Sequence, residues 1–298
     1  SEMCIRDSTN GWELYLGWND SFALMGKRFN YTVSATLGDN KTVFTKFNNP
    51  EKNLSNHYEG KVLGEIWGYR VDGLFASDEE AAEYTSKINQ DAVNERILTD
   101  KVDPYYRAGD LKFRDLDGDN VISKGDDTAY DAGDREIIGN ETPRYMYSFR
   151  LGADWNGFDL GIFFQGVGKR DWYPNYLSTG FWGPYSRAFT SFIPENFMDQ
   201  CWSEENRDGY FPRFRGYQTF AGSQLGVNND RYLQDASYIR LKNLTVGYTL
   251  PVLKKVFTKL RVYFTGENLW YWSPMLKHTK YIDPEAAGGN GNTGMAYN

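Results

Sequence analysis

Two cysteines and two histidines in 298 residues leave little material for a disulfide framework, a zinc centre or histidine-based catalysis. Cys4 and Cys201 are far apart and neither belongs to a CxxC pair, while His57 and His278 both stand in polar stretches. No Ser or Cys sits in a nucleophile elbow. Gly289 to Gly294 spells GxGxxG, but no strand pattern precedes it and no helix pattern follows, so dinucleotide binding is not indicated. Glu204 and Glu205 are adjacent and lack the further carboxylate that a glycosidase needs. An enzyme is therefore not expected. No run of 18 apolar residues exists, which excludes a transmembrane helix and leaves transmembrane strands open. The net charge of -7 argues against nucleic acid as a partner. Ser1 to Ser8 (SEMCIRDS) has neither the basic region nor the apolar core of a signal peptide, and it reads as a non-native or disordered head.

Aromatics and glycine are abundant. Rings make up 17% of the chain and Gly numbers 30, a composition that suits strands, turns and aromatic girdles. The clearest stretch is Pro143 to Gly168, two alternating runs about Trp155-Asn156-Gly157, a hairpin signal. Tyr147, Phe149, Leu151, Leu160, Ile162 and Phe164 fall on one face, expected to be convex and lipid-facing, with Arg150, Asp154 and Gln165 on the concave side. Such alternation fits a membrane barrel and also a soluble sandwich, so content must separate them. A large aromatic face opposed to small residues, Arg and Asp suits lipid outside and a wet lumen inside.

Elsewhere, Trp12 to Trp18 and Lys27 to Leu37 alternate as strands, and Gly38-Asp39-Asn40 is expected to turn the chain back into a third strand, Lys41 to Phe47. Lys61 to Leu74 offers one short strand and a turn. Ser77 and Glu80 form a capping-box pattern that predicts a solvated helix over residues 78 to about 90. Residues 169–235 make a long aromatic extracellular loop with a short helix around Pro194 to Trp202. Its rings, Trp172, Tyr173, Tyr176, Trp182 and Tyr185, are candidates for stacking on sugar faces or for the loop's own core, with Trp172, Tyr173 and Trp182 the candidate substrate contacts. Asp235 to Leu250 and Leu260 to Thr265 alternate again around the basic Lys254-Lys255 turn, and Trp270-Tyr271-Trp272 suits a membrane interface.

The sharpest chemical motif, within residues 109–140, is Asp115 to Asp126 (DLDGDNVISKGD), which resembles a calcium loop. Asp115, Asp117 and Asp119 supply carboxylates, Val121 a carbonyl, Ser123 a water-mediated contact and Asp126 the closing acid. Asn120 replaces the usual Gly and is tolerable because Asn adopts left-handed backbone. Asp126 is shorter than the usual Glu, and the insertion Thr128 to Gly133 leaves Asp127 and Asp134 as alternative closing ligands. Ile122 is expected to point into a neighbouring core.

Several motifs occur in a telling order: Gly109-Asp110-Leu111-Lys112-Phe113 with the Asp loop, Asp134 to Asn140, Gly157-Phe158-Asp159-Leu160 with Phe164 to Gly168, Asp235 to Pro251, Gly266-Glu267-Asn268-Leu269, and Tyr281-Ile282-Asp283-Pro284-Glu285. Together they resemble the C-terminal part of SusC/RagA-type TonB-dependent outer-membrane transporters. The resemblance implies a barrel of about 22 strands with an N-terminal plug, energised by the TonB system and partnered by a SusD-like surface lipoprotein, for uptake of oligosaccharide or peptide across the outer membrane. About eight or nine strands are legible here, so the expected fold is all-β: an incomplete antiparallel transmembrane β-barrel, an open curved sheet over residues 9–298. No plug, TonB-contacting segment or closing strand is legible. The rival expectation is a soluble, calcium-stabilised β-sandwich that binds carbohydrate.

Overall fold

The computed structural model describes residues 5–187, 193, 195–215, 219–220, 223–251 and 259–287. In chain order the strands are β1 (Arg6–Leu24), β2 (Lys27–Lys46), β3 (Glu65–Tyr69), β4 (Val71–Leu74), β5 (Leu111–Phe113), β6 (Arg135–Asn140), β7 (Arg144–Trp155), β8 (Phe158–Lys169), β9 (Asp171–Trp172), β10 (Gln234–Asp235), β11 (Tyr238–Leu250) and β12 (Leu260–Trp272). Six of them form one antiparallel sheet in the order β1-β2-β7-β8-β11-β12, which is not closed. The other six form three small two-stranded pairs in the loops.

Two tight turns set the register of the sheet. Met25-Gly26 and Asn156-Gly157 both have positive φ, the backbone that two-residue hairpins require. From these turns the pairing Leu37↔Tyr147, Ala35↔Phe149 and Val33↔Leu151 continues as Phe149↔Phe164 and Leu151↔Ile162, then as Ile162↔Leu244 and Leu160↔Val246. Every partner on this row is apolar, so the expected lipid-facing set lies on one face. β1 and β12 extend it at the edges with Leu14, Leu16, Trp18, Val262 and Phe264, all exposed. The opposite face is polar and internally bonded. Asn30 donates to Asp154 at 2.7 Å, Thr36 and Ser148 share a hydrogen bond of 2.6 Å, and Arg261 donates to Asp159 at 2.9 Å. Arg150 lies 5.0 Å from the Phe163 ring centroid on that same side.

A sandwich is overturned by this arrangement, because among the described residues no second sheet covers the apolar face and its rings stand exposed. The strand count also differs. Gly38-Asp39-Asn40 does not turn; β2 runs on to Lys46, paired with β1 throughout, so the expected Lys41–Phe47 strand is its continuation. Two causes are visible. Gly11 lets the backbones meet closely at Asp39, and the Asp39 carboxylate, instead of closing a local turn, is held by Arg144. Arg6, Asp7 and Ser8 belong to β1 rather than to a disordered head, while residues 1–4 lie outside the described set.

The buried core lies outside the sheet. Residues 47–143, the described residues between β8 and β11, and residues 273–287 pack together around Leu111, Phe113, Ile122, Phe181, Trp182, Tyr185, Phe211, Tyr232, Met275 and Ile282. These segments all leave the same end of the sheet, opposite the tight turns. Helix α1 (Asp78–Thr85) starts as its capping signals predict, with Ser77 accepting from the Glu80 amide at 3.1 Å. It stops at Thr85, short of residue 90. Glu80 reaches back to the Ala76 amide at 2.7 Å and also pairs with Lys112. Three more single-turn helices follow, α2 (Glu95–Leu98), α3 (Thr179–Trp182) and α4 (Pro184–Arg187). The helix expected around Pro194 to Trp202 reduces to a 3-10 turn at Met198–Gln200, and Pro194 itself lies outside the described residues, as do Lys254-Lys255 and Gly289 to Gly294.

Candidate functional site: the acidic loop and the loop body

The acidic loop is built by backbone-to-carboxylate bonds that its Asp spacing makes possible. Asp115 accepts from the Gly118 and Asn120 amides at 2.7 and 2.9 Å, and Asp117 accepts from Asp119 at 3.1 Å. Asn120 has φ +66, the left-handed backbone expected of it. Ile122 is fully buried in the loop core and fastens the motif there.

Asp115 and Asp117 each bring a carboxylate oxygen within 4.8 Å of the other, and the third member of the cluster is Asp134. Asp126 and Asp119 do not join. Asp119 folds back to accept from the Val121 amide at 2.7 Å, and Asp126 is exposed. The insertion explains the exchange. Gly125 and Gly133, both left-handed, lie against each other, so Thr128 to Ala132 loops out and Asp134 returns to the motif. Asp127 is drawn away by Arg135 at 2.7 Å. Asp134 is fully buried and accepts from the Leu116 and Ser123 amides, both at 2.7 Å. Burial pushes its carboxyl above the usual range, with Asp117 and Asp115 adding to the rise against those two amides. Ser123 Oγ is occupied locally, accepting from the Gly125 amide at 3.1 Å. All three clustered donors are oxygens, and a hard divalent cation fits such a set.

The candidate sugar-stacking rings are elsewhere and mostly inside. Trp182 is fully buried and donates to the Pro174 carbonyl at 2.8 Å; Trp172 is buried beside Phe181. Tyr173 packs on the same core, its hydroxyl 2.9 Å from the Val227 carbonyl. Trp172 and Trp182 serve the loop's own core, which corrects the reading of those two as substrate contacts, because a buried ring has no face to offer a sugar; Tyr173 is partly buried against the same core. Tyr176 alone among the five rings is exposed.

Two ionic clasps escaped the reading of the sequence. Asp110, fully buried, receives both Nε and Nη2 of Arg215 at 2.9 and 2.8 Å, tying the β5 segment to the loop after β8. Arg240, at the loop end of β11, holds Asp283 and lies 3.3 Å from Glu285, while Lys242 reaches Glu285 at 2.8 Å. Residues 273–287 are thereby strapped onto the sheet rim. The signal was present as charged residues inside otherwise apolar motifs, around Asp110, Arg240 and Asp283.

An open antiparallel sheet with an unbroken apolar outer face, a polar inner face, short turns at one end and large loops at the other defines the wall of a transmembrane β-barrel. No family model matches the chain. It is 31% identical over 240 residues to TonB-dependent receptor P3 of Formosa agariphila, covering 78% of this chain and 20% of that protein. It is 28% identical over 198 residues to TonB-dependent receptor P26 of the same organism, covering 64% and 18%. Among solved structures, the RagAB peptide importer in its open-open state superposes with a TM-score of 0.58 at 20% identity, covering 97% of this chain and 27% of that one. The RagAB peptide transporter gives 0.57 at 20% identity, covering 97% and 28%. The chain belongs to the TonB-dependent receptors and resembles their SusC/RagA type, and it spans about a fifth of the length of the curated relatives it matches.

Proposed function

We propose that this chain forms part of the wall and of the extracellular loop body of an outer-membrane transporter that takes up oligosaccharides or peptides under TonB control, together with a SusD-like surface lipoprotein. The observation that carries the reading is the apolar outer face running unbroken from Leu16 through Ala35, Phe149, Phe164 and Leu241 to Trp270, with Leu16, Phe149 and Trp270 exposed and the other three half-buried between their strand neighbours, a surface that lipid accommodates at such extent. The RagAB peptide importer supports the peptide arm by its fold alone. In cells lacking the gene that encodes this chain, uptake of labelled oligopeptides or oligosaccharides should fall and should return on complementation only when TonB is present. Unchanged uptake of both classes in the deletion strain would remove the proposal.

We also propose that Asp115, Asp117 and Asp134 hold one Ca²⁺, with the Val121 carbonyl and Ser123 nearby. Clustered carboxylates repel one another, and ligation by a hard cation removes that cost. The ion would stiffen the loop through Ile122, with no chemical step assigned to it.

A further inference from the structure

On the inner face, toward the loop end of the sheet, a hollow of about 720 Å³ is lined by Glu13, Tyr15, Thr36, Ser148, Gln165 and Arg170, among others. The register explains its shape. Tyr15↔Thr36, Thr36↔Ser148 and Ser148↔Gln165 form one row across four strands, and Glu13↔Gly38 begins the next row toward the loops. Small side chains on β2 and β7 therefore make a floor, with taller ones on β1 and β8 standing at either side. At about 4.8 Å per strand, Tyr15 and Gln165 are about 14 Å apart, room for a short oligomer lying across the wall.

Tyr15 singles this hollow out. Its ring leans over Gly17, filling the space that a side chain there would take, and the residue is 69% exposed. Three other inner-face rings are covered: Arg150 lies 5.0 Å from the centroid of Phe163, Arg240 4.9 Å from that of Tyr271 and Arg261 4.7 Å from that of Tyr263. Among the described residues no cation lies over Tyr15 in this way. Hydrogen-bonding groups stand unused around it. Glu13, its stem crossing Gly38, and the Gln165 amide form no side-chain hydrogen bond among the described residues. Thr36 and Ser148 spend one hydroxyl hydrogen on each other and keep the second. The charges on the loop side are already engaged, Glu285 by Arg240 and Lys242, and Arg170 by the Glu141 and Pro284 carbonyls. An open aromatic ring flanked by a carboxylate, an amide and a free hydroxyl suits a sugar, which stacks an apolar C–H face and spreads donors and acceptors around its rim. A peptide backbone is served less well, since β2, β7 and β8 are each paired on both sides and the floor offers no open strand edge.

We propose that this hollow is an oligosaccharide-binding subsite on the inner wall, with one sugar stacked on Tyr15 and its hydroxyls, or those of the next sugar, bonded to Glu13, Gln165 and the Thr36–Ser148 pair. The proposal rests on the transporter reading and narrows its substrate to the sugar class. The complete receptor carrying this chain, in bilayer discs, would be footprinted with hydroxyl radicals alone, with an oligosaccharide pool from partly hydrolysed plant and algal cell-wall polysaccharides, and with an oligopeptide pool from tryptic casein. The sugar pool should suppress oxidation of Tyr15, and the casein pool should not. In cells, Tyr15→Ala at wild-type surface level should raise the half-saturating concentration for uptake of the sugar pool about tenfold, the scale of one aromatic contact, and Tyr15→Phe should raise it far less. Footprinting of the wild type decides the matter even where the variant fails to assemble. Tyr15 unreactive before any addition, protection by neither pool, protection by casein peptides, or an unchanged half-saturation in Tyr15→Ala would each overturn the proposal. Failure of the transporter reading is told apart by the deletion strain, in which uptake of both pools would then be unchanged.

Discussion

Removing the Arg240 guanidinium should release the strap of residues 273–287 from the sheet rim. Arg240 is nearly buried, holds Asp283, approaches Glu285 and lies 4.9 Å from the Tyr271 ring centroid. Arg240→Met keeps most of the apolar stem and removes the charge. Breaking a buried pair costs about 3–5 kcal/mol. Asp283 and Glu285 retain 24% and 35% side-chain exposure, and Lys242 still holds Glu285, so solvent and that second cation reduce the expected loss to about 2–3 kcal/mol. Local opening of the strap should then rise roughly 30- to 150-fold. Hydrogen exchange in the membrane-inserted receptor reads this at the amides of Leu276, His278 and Thr279, which bond to the Ser273 and Met275 carbonyls. Arg240→Lys, which keeps the charge without the planar fork, should give a smaller rise. If those three amides exchange no faster in Arg240→Met, or if the core around Trp182 and Tyr232 loosens equally, the clasp is not what secures the strap.

Three further outcomes follow from the geometry. Leu151→Arg, on the outer face with Val33 and Ile162 beside it, should cost about 2–4 kcal/mol in lipid, whereas Ser148→Arg on the inner face should cost little; equal costs in denaturant unfolding would contradict the facing. Ca²⁺ should raise protease resistance across residues 110–140, and Asp117→Ala or Asp134→Asn should abolish the effect while Asp126→Asn leaves it, with calorimetric binding unchanged in Asp134→Asn as the contrary result. His278 stacks on Tyr210 at 3.6 Å and is held down to about 4 by burial, then by Lys277 and Arg231. A lowered folded pKa means the unfolded strap binds the proton more readily, so stability is complete above about pH 6.5 and declines as pH falls toward 4. Allowing for partial exposure, the loss between pH 7 and 5 is about 1 kcal/mol, which His278→Phe should remove from the exchange profile.

Most of the wall was legible because a sheet with one face in lipid and one in water must alternate, and Tyr147 to Phe164 does so without interruption. The Asn156-Gly157 turn and the Ser77 cap are equally local, each a match between one or two residues and one backbone conformation. What went beyond the sequence was every outcome of competition between distant groups. Gly38-Asp39-Asn40 carries turn chemistry, but Arg144, 105 residues away, captures the Asp39 carboxylate and the strand runs on. Asp126 occupies the closing position by count, but the insertion folds out between Gly125 and Gly133 and delivers Asp134 instead. Trp172 and Trp182 carry the same rings whether they face a ligand or a core, and only the packing of three separate loops into one body decided that they are buried. Periodicity is a property of neighbours along the chain and can be read there. Which carboxylate meets which guanidinium, and which ring loses its solvent, depends on closures across a hundred residues that tertiary structure alone selects.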